Sequence, residues 1–383
     1  MSTAESKDLL LQNISSPDFF PLSFTELEEA AANKMSAGGF GYVRSGAGGE
    51  ETLRRNTEAF SNFSIVPRML NDLSQTDTSI ELFGRTYPHP LLIAPVGMLK
   101  LAHEEADLAV AKAAASFGIP FIQSTVSSFP IEEVAAAVPH SPKWFQLYWS
   151  NNEEISYSMA ARAEKAGYQA IVLTVDTVML GWREEDIRNK FSPLKLGFGK
   201  ANYESDPVFM DTLPAGEDEA VIQGILNNIH HPCLNWKHVA ELKKRTSLPI
   251  LLKGLLHEDD ARLAYEHGVD GIIVSNHGGR QLDGVIAAID ALPHIVKEAG
   301  GRIPVLFDSG IRRGIDAVKA MALGADAVLI GRPIVYALAA GGQAGVERTL
   351  ANFIEETKVS ISLSGASRAI DLQKVTVIRN QQE

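Results

Sequence analysis

Eight short apolar stretches, each followed by a turn and a helical pattern, restrict this 383-residue chain to few folds. The stretches span residues 91–94, 120–124, 144–148, 170–176, 249–253, 271–275, 304–308 and 327–331. Their richness in Val, Ile, Leu and Phe is typical of strands buried on both faces of a parallel sheet. The helical patterns between them end near glycines such as Gly118 and Gly268, where helix C-termini are expected. Eight such units predict an α/β fold, a (β/α)8 TIM barrel.

Two segments fall outside this repeat. Residues 1–80 precede the first strand and contain Ser23 and Glu26 in the spacing of a helix capping box, which predicts an N-terminal helical cover. Residues 177–236 follow the fourth strand and are far longer than an ordinary loop. At that end of a barrel they would form an active-site lid, and a disordered excursion is the alternative. We treat residues 1–383 as a single barrel domain.

Composition excludes several classes of partner. The net charge of −12 argues against a nucleic-acid-binding surface. No apolar run is long enough to span a bilayer, and the first residues lack the basic and apolar regions of a signal peptide, so we expect a cytoplasmic protein without a membrane partner. The single cysteine, Cys233, lies near His230 and His231, but this grouping matches no familiar zinc spacing. The sequence therefore predicts no metal site.

The most informative stretch is residues 275–281, SNHGGRQ, directly after the sixth strand. It places His277 and Arg280 at the carboxyl end of a barrel strand, where the chemistry of such proteins occurs. An imidazole base beside a guanidinium that binds a carboxylate favours a small hydroxy or keto acid as substrate. The alternative is that both residues only cap the strand.

Polar residues also follow the other strands. Gly310 and Gly331 end the seventh and eighth strands, and Arg312 and Arg332 follow within two residues. Barrels commonly bind a phosphate at this position through backbone N–H groups, and arginines add charge-assisted bonds. The alternative is that the two glycines only permit tight turns. Further polar residues at strand ends are Asp176, Lys253 and Asp308.

Three motifs together resemble the signatures of the FMN-dependent L-2-hydroxy acid oxidising family. They are SNHGGRQ at 275–281, DSGIRRG at 308–314 and IGRP at 330–333. The resemblance extends from about residue 24 to the C-terminal helix. It implies an FMN cofactor and an enzyme that oxidises L-lactate or a similar short L-2-hydroxy acid with molecular oxygen. It also implies a homo-oligomer, a tetramer or an octamer.

The resemblance assigns roles to individual residues. His277 is implied as the catalytic base, with Asp176 holding its tautomer and charge. Arg183 and Arg280 would bind the substrate carboxylate, and Tyr42 and Tyr148 would add hydroxyl contacts. The residues implied to contact FMN are Lys253 near flavin N1, Ser124, Gln146, Thr174 and Ser275 at the isoalloxazine edge, and Asp308, Gly310, Arg312, Gly331 and Arg332 at the phosphate.

One position differs within the family. Gly97, at the end of the first strand under the flavin, occupies a place where glycolate and lactate oxidases typically carry alanine, and glycine is typical of lactate 2-monooxygenase. The absent methyl would enlarge the space beside the flavin and favour acetate, CO2 and water over pyruvate and H2O2. Three alternatives stay open: a flavin dehydrogenase that reduces a quinone or cytochrome, a mandelate-type oxidase, and a non-catalytic barrel that binds a phosphate ligand.

Overall fold

A computed structural model describes residues 20–214 and 218–380 of the chain. Its strands are β1 (Phe63–Val66), β2 (Ile80–Leu82), β3 (Arg85–Tyr87), β4 (Leu91–Ile93), β5 (Phe121–Gln123), β6 (Lys143–Tyr148), β7 (Ile171–Thr174), β8 (Ile250–Leu255), β9 (Gly271–Val274), β10 (Val305–Phe307), β11 (Ala327–Ile330) and β12 (Thr376–Arg379).

The α-helices are α1 (Phe24–Ala32), α2 (Ala37–Arg44), α3 (Glu51–Glu58), α4 (Ala106–Ser116), α5 (Ile131–Ala137), α6 (Glu153–Lys165), α7 (Glu184–Arg188), α8 (Ala201–Glu204), α9 (Pro207–Met210), α10 (Asp218–Asn228), α11 (Trp236–Arg245), α12 (Glu258–Glu266), α13 (Ala288–Ala299), α14 (Gly314–Ala322) and α15 (Arg332–Leu363). Short 3-10 helices span Ala59–Asn62, Leu99–Leu101, Leu194–Leu196, His277–Gly279 and Ala369–Lys374.

Strands β4 to β11 form a closed parallel barrel in chain order, with β11 paired to β4. The register at this closure places Ile93 opposite Ile330, and on its other side opposite Phe121. The barrel strands are almost wholly buried, as the continuous apolar stretches predict. Each of the eight predicted stretches overlaps one barrel strand, so the predicted TIM barrel is confirmed.

Two small antiparallel pairs lie outside the barrel, β2 with β3 and β1 with β12, and the sequence analysis did not predict them. Between β2 and β3, Phe83 packs edge-on against Trp144, with ring centroids 5.7 Å apart. Phe83 also lies against Gly271, the first residue of β9. Because both contacts are near the amino ends of barrel strands, this hairpin covers that end and leaves the carboxyl end for a binding site.

The N-terminal cover begins with the predicted capping box. Ser23 Oγ accepts a hydrogen bond from the Glu26 N–H, and the Glu26 carboxylate accepts one from the Ser23 N–H at 2.9 Å. Phe24 packs on Tyr336 of α15, with ring centroids 5.5 Å apart, and so fixes α1 to the barrel. Within the predicted span of 1–80, residues 1–19 lie outside the described residues, and the rest holds α1 to α3, β1 and β2.

The segment after β7 is folded in its described part rather than extended. Helices α7 to α10 occupy much of it, and Tyr203 and Phe209 are buried against each other. The side-chain amide of Asn202 donates to the carbonyls of Ser124 and Thr125, both at 3.1 Å. The alternative of a disordered excursion is therefore wrong for residues 177–214 and 218–236.

None of the helices in the part of the chain that the structure describes combines the length and apolar character needed to cross a membrane.

Candidate active site

A cleft with about 1050 Å³ of empty space, partly open to solvent, lies at the carboxyl ends of the barrel strands. It draws on α2, the ends of the barrel strands and the segment after β7. The predicted site residues that line it are Tyr42, Gly97, Tyr148, Arg183, Lys253, His277, Arg280, Asp308, Gly310, Arg312, Gly331 and Arg332.

Four other predicted residues lie behind the cleft wall and are buried: Ser124, Gln146, Thr174 and Ser275. Three of them form a hydrogen-bonded chain across β5, β6 and β7. Ser124 Oγ donates to Gln146 Oε1 at 3.2 Å, and Gln146 Nε2 donates to Thr174 Oγ1 at 3.0 Å. This chain fixes the orientation of the Gln146 amide, and the contact of these residues with a flavin edge stays a prediction.

His277 lines the cleft and forms a polar pair with Asp176, which is not among the lining residues. His277 Nδ1 lies 2.9 Å from Asp176 Oδ1. His277 has a positive φ of 59°, a strained backbone conformation for a residue other than glycine, and its N–H donates to Ser275 Oγ at 3.0 Å. Gly254 permits the approach of Asp176, because a Cβ at position 254 would lie 2.7 Å from the carboxylate carbon.

The electrostatics of the pair favour a neutral imidazole beside a carboxylate. Burial lowers the pKa of His277 below its ordinary value, and this outweighs the opposite effect of Asp176. Burial acts to raise the pKa of Asp176, but its interactions with His277, together with the Lys253 cation and a backbone hydrogen bond, lower that pKa below its ordinary value. With Nδ1–H donated to the carboxylate, the other ring nitrogen is free to accept a proton.

Two guanidinium groups meet beside the ring of Tyr42. Arg280 lies 4.7 Å and Arg183 5.8 Å from the ring centroid. Arg280 Nη1 donates to the carbonyls of Tyr42 at 2.6 Å and Ser45 at 2.7 Å, and Arg183 Nε donates to the Arg280 carbonyl at 3.2 Å. Burial and the nearby Arg183 cation lower the pKa of Arg280 to about 9.

Neither cation has a carboxylate within 4.0 Å among residues 20–214 and 218–380, although the charge of Asp186 acts on both from a greater distance. A buried charge without a close counter-ion is costly. The geometry of paired guanidinium forks matches a bidentate anion such as a carboxylate. This part of the cleft is therefore suited to a substrate anion.

Arg312 and Arg332 also line the cleft, and Arg332 lies close to Arg280, because both donate to the Ser45 carbonyl. Arg332 donates to the carbonyls of Val43 at 2.8 Å and Ser45 at 3.0 Å, and burial together with Arg312 lowers its pKa to about 10. Arg312 stacks over Phe24 at 4.4 Å, and its buried Nε has no hydrogen-bond partner. An unpartnered guanidinium nitrogen beside a second cation fits a bound phosphate.

Gly310 and Lys253 complete the part of the cleft that Arg312 and Arg332 line. Gly310 has φ 103°, and a Cβ there would lie 2.1 Å from the Asn56 carbonyl oxygen, so no larger residue fits. Lys253 Nζ lies 3.2 Å from Asp308 Oδ2 and donates to Ser275 Oγ at 2.9 Å. A buried cation at the cleft wall suits a group that gains negative charge on reduction. The residues present therefore fit FMN.

Gly97 lines the cleft, and the sequence predicts that its absent methyl enlarges the space beside the flavin. A Cβ at position 97 would instead lie 2.3 Å from Val126 Cγ2 and 3.2 Å from Ser124 Oγ. An added methyl would first displace Val126, which itself lines the cleft. The effect of residue 97 on the cleft is therefore indirect.

The sequence analysis missed two residues that organise the site. Ser309 Oγ accepts from the backbone N–H groups of Asn276 at 3.2 Å and Gly278 at 3.0 Å, and it joins the sixth and seventh barrel strands. Gln281 Nε2 donates to the carbonyls of Asp176 and Met179, both at 2.9 Å. Both residues lie inside or next to the SNHGGRQ and DSGIRRG motifs, so motif membership was the available signal.

The His–Asp pair and the paired arginines suit an enzyme that removes a proton from a small anionic substrate, and the part of the cleft beside Arg312 suits a phosphate-bearing cofactor such as a flavin nucleotide. Residues 31–379 match the family described as FMN-dependent dehydrogenase, and the chain belongs to this family. It is an FMN-dependent oxidoreductase.

Individual relatives agree with this assignment. The chain is 61% identical to "L-lactate oxidase" of Lysinibacillus sphaericus over 99% of this chain and 98% of that protein. It is 39% identical to human "2-Hydroxyacid oxidase 1" over 94% of this chain and 97% of that protein. A crystal structure of mandelate oxidase, 38% identical, superposes with a TM-score of 0.86 over 95% of this chain and 100% of that chain.

Proposed function

We propose that the protein oxidises L-lactate or a similar short L-2-hydroxy acid and uses molecular oxygen as the final electron acceptor. The observation that carries the proposal is the convergence on one cleft of the neutral His277 base and two guanidinium groups, neither of which has a carboxylate within 4.0 Å among the described residues. Similarity to an L-lactate oxidase over nearly the whole chain supports a short substrate.

The proposed roles follow from the geometry. Arg183 and Arg280 bind the substrate carboxylate as forked donors. Burial raises the pKa of Tyr148, so its hydroxyl stays protonated and donates to the substrate. His277 removes a proton as the hydroxy acid is oxidised, and Asp176 stabilises the resulting imidazolium. FMN supplies the two-electron acceptor chemistry, and Lys253 would lie beside it as a fixed cation.

The test is anaerobic addition of substrate to the yellow holoenzyme. L-Lactate should bleach the flavin absorbance, and admission of air should restore it. D-Lactate serves as the control, because the proposal is specific for the L enantiomer. If L-lactate, glycolate and L-mandelate all fail to bleach the flavin, the protein is not an enzyme of this class. The remaining alternative is then a non-catalytic barrel that binds a phosphate ligand. Bleaching without reoxidation by air would favour the quinone or cytochrome dehydrogenase.

Mandelate is the main rival substrate, because the fold is shared with mandelate oxidase. The cleft wall near Gly97 is crowded in this chain. A Cβ at Gly199 would lie 2.9 Å from Met98 Cγ and from the Val126 carbonyl, so the segment 177–236 rests closely on that wall. We expect L-lactate to have the larger kcat/KM, and a larger value for L-mandelate would refute the short-substrate proposal.

The pH dependence of flavin reduction is expected to reflect the His277–Asp176 pair. Because the pKa of His277 is lowered, the base stays deprotonated at neutral pH, and the rate should fall only as the pH drops below about 6.5. Asp176 acts to raise the pKa of His277, so Asp176→Asn should shift the fall in rate on the acid side to a lower pH. Stopped-flow reduction by L-lactate across pH measures both, and the apparent pKa belongs to the pair. An acid limb above 6.5 would contradict the assignment.

The fate of oxygen depends on how long pyruvate stays in the closed cleft. We propose that Gly97 favours retention, which gives acetate, CO2 and water at the expense of pyruvate and H2O2. Gly97→Ala should push Val126 into the cleft, crowd the retained product and raise the peroxide fraction. Gly97→Ala combined with Val126→Ala should lower that fraction again, because Val126 no longer needs to move.

Product analysis checks this proposal. Acetate is measured with and without catalase and H2O2 without it, because catalase destroys free peroxide and so prevents it from decarboxylating pyruvate to acetate in solution. Stoichiometric pyruvate from the natural protein, with no acetate in the catalase-treated sample, would make it a plain oxidase and remove the role given to Gly97.

We also propose a homo-oligomer, a tetramer or an octamer. Four large apolar side chains are exposed on two neighbouring loops: Met179 (65%), Leu180 (61%), Trp182 (69%) and Leu282 (69%). The Gln281 bond to the Met179 carbonyl holds the loops together. Such patches mark protein interfaces, and closed symmetric assemblies are common. Light scattering at micromolar concentration that shows only a 41.5 kDa particle would contradict the proposal.

A further inference from the structure

A second cluster of polar side chains lies outside the cleft. Glu153, His231 and His238 offer ligand atoms that all lie within 4.8 Å of one another, one such group among the described residues. Glu153 begins α6, His238 is in the first turn of α11, and His231 lies in the stretch between α10 and α11. Three separate segments therefore converge on one point.

Neighbouring aromatic residues hold the cluster in place. His238 Nε2 lies 3.5 Å from Glu153 Oε1. The Tyr157 hydroxyl donates to Glu153 Oε2 at 2.9 Å, so the two carboxylate oxygens have different partners. Trp149 packs on the His238 ring at a centroid distance of 5.7 Å. The His238 Nδ1 lies 2.9 Å from the Asn235 nitrogen and 3.3 Å from the Asn235 carbonyl oxygen. Coordination through Nε2 requires the tautomer in which Nδ1–H is donated to that carbonyl, which is the outer support that a metal-bound histidine usually has.

His231 provides an independent observation. Its Nδ1 is buried and has no hydrogen-bond partner, although its ring lies 4.9 Å from the ring of His238. Buried polar atoms without a partner are rare in folded proteins, and coordination of a cation would satisfy this nitrogen. The unpartnered His231 nitrogen, together with the His238 imidazole and the Glu153 carboxylate, forms a set of groups that can bind a cation.

We propose that Glu153, His231 and His238 bind a divalent transition metal, with zinc as the best match. Two histidines and a glutamate form one of the three-ligand sets of zinc, with water in the fourth position. Imidazole nitrogen favours zinc, copper or nickel over magnesium or calcium. The Glu153 side chain is 42% and the His238 side chain 14% exposed, so metal and water can reach the site from solvent.

The metal would fasten the segment that covers the cleft. His230, next to His231, has its Nδ1 3.0 Å from the Thr177 carbonyl oxygen, so the two ends of the segment 177–236 meet here. A metal bound to His231 would tie these ends to α6 and α11. The sequence predicts no metal site because the grouping of His230, His231 and Cys233 matches no familiar zinc spacing. The cluster instead joins His231 to residues from two helices, and Cys233 is exposed.

The test is a zinc titration of the untagged holoenzyme after treatment with a chelator, by calorimetry, with cobalt absorption as a second probe. All proteins carry Cys233→Ser, because an exposed thiol binds zinc by itself. About one zinc per chain should bind. His231→Ala and Glu153→Gln should each weaken binding more than about tenfold, and Tyr157→Phe about tenfold. His140→Ala, at an exposed histidine elsewhere, is the matched control and should change nothing.

Zinc should also raise the Tm, and Glu153→Gln should abolish that rise. Glu153→Gln keeps the size of the side chain and is expected to fold normally. The test therefore remains valid even if His231→Ala fails to fold. Absence of zinc binding by the Cys233→Ser protein, or unchanged affinity in both His231→Ala and Glu153→Gln, would overturn the proposal. None of these measurements depends on turnover of L-lactate, so they stand apart from the proposed activity.

Discussion

Replacing His277 with glutamine is expected to lower the rate of flavin reduction by L-lactate about 10²–10⁴-fold, the usual contribution of a positioned general base. Glutamine keeps a polar side chain of similar reach but accepts no proton at neutral pH. The loss should appear in the rate at saturating substrate, because the carboxylate is held by Arg183 and Arg280 rather than by His277. Anaerobic stopped-flow absorbance measures that rate directly.

The control for this variant is cofactor content. The His277 side chain bonds to Asp176 and not to the arginine-lined end of the cleft, so FMN should stay bound with an unchanged absorption spectrum. Asp176→Asn provides a second comparison, because it keeps the base but removes the group that stabilises the imidazolium. It should reduce the rate less than His277→Gln. A His277→Gln protein that reduces flavin near the natural rate would remove His277 from the role of base.

The sequence was sufficient for the barrel because its strands are buried on both faces. Continuous apolar stretches separated by helical patterns are recognisable without tertiary information, and every one of the eight overlaps a barrel strand. The strand pairs β1 with β12 and β2 with β3 were not predictable in this way. β2 and β3 have three residues each, and β1 pairs with a strand more than 300 residues away.

The site residues were predictable to the extent that they follow strands in recognisable motifs. Arg183 and Tyr42 are different, because they lie outside the barrel strands and reach the cleft only through tertiary packing. Without the family resemblance, neither position carries a local signal. Ser309 and Gln281 were missed because their importance lies in hydrogen bonds to backbone groups distant in sequence. Composition and periodicity do not reveal such contacts.

Steric relations between neighbours were also beyond the sequence. Residue 97 is glycine, and from sequence alone a missing methyl means added space. In the folded protein, that space is already limited by Val126, whose Cγ2 occupies the direction in which a Cβ would point. The same holds for the metal cluster, since Glu153 is 78 positions before His231. Spacing rules for zinc ligands apply to short motifs and do not find ligands brought together by separate helices.

Arg280→Lys is expected to weaken binding of L-lactate and of the inert analogue oxalate by about 1.5–3 kcal/mol, the usual value of a hydrogen bond to a charged group. This corresponds to about 10–150-fold in Kd. Arg280 uses Nη1 to hold the carbonyls of Tyr42 and Ser45, and its other nitrogens remain for the substrate. A lysine ammonium is a single point of charge, so it cannot serve both the N-terminal cover and a carboxylate in the same geometry.

Titration of the flavin absorbance with oxalate measures this loss without turnover. Arg188→Lys is the matched control, because that arginine lies in the same segment as Arg183 but its side chain is 65% exposed and pairs only with neighbours on α7. It should leave the Kd unchanged. Since Arg183 remains in the Arg280→Lys protein, binding should be weakened rather than abolished, and saturating L-lactate should still reduce the flavin. If oxalate binds the Arg280→Lys and Arg188→Lys proteins equally well, Arg280 does not bind the carboxylate, and the anion must lie elsewhere in the cleft.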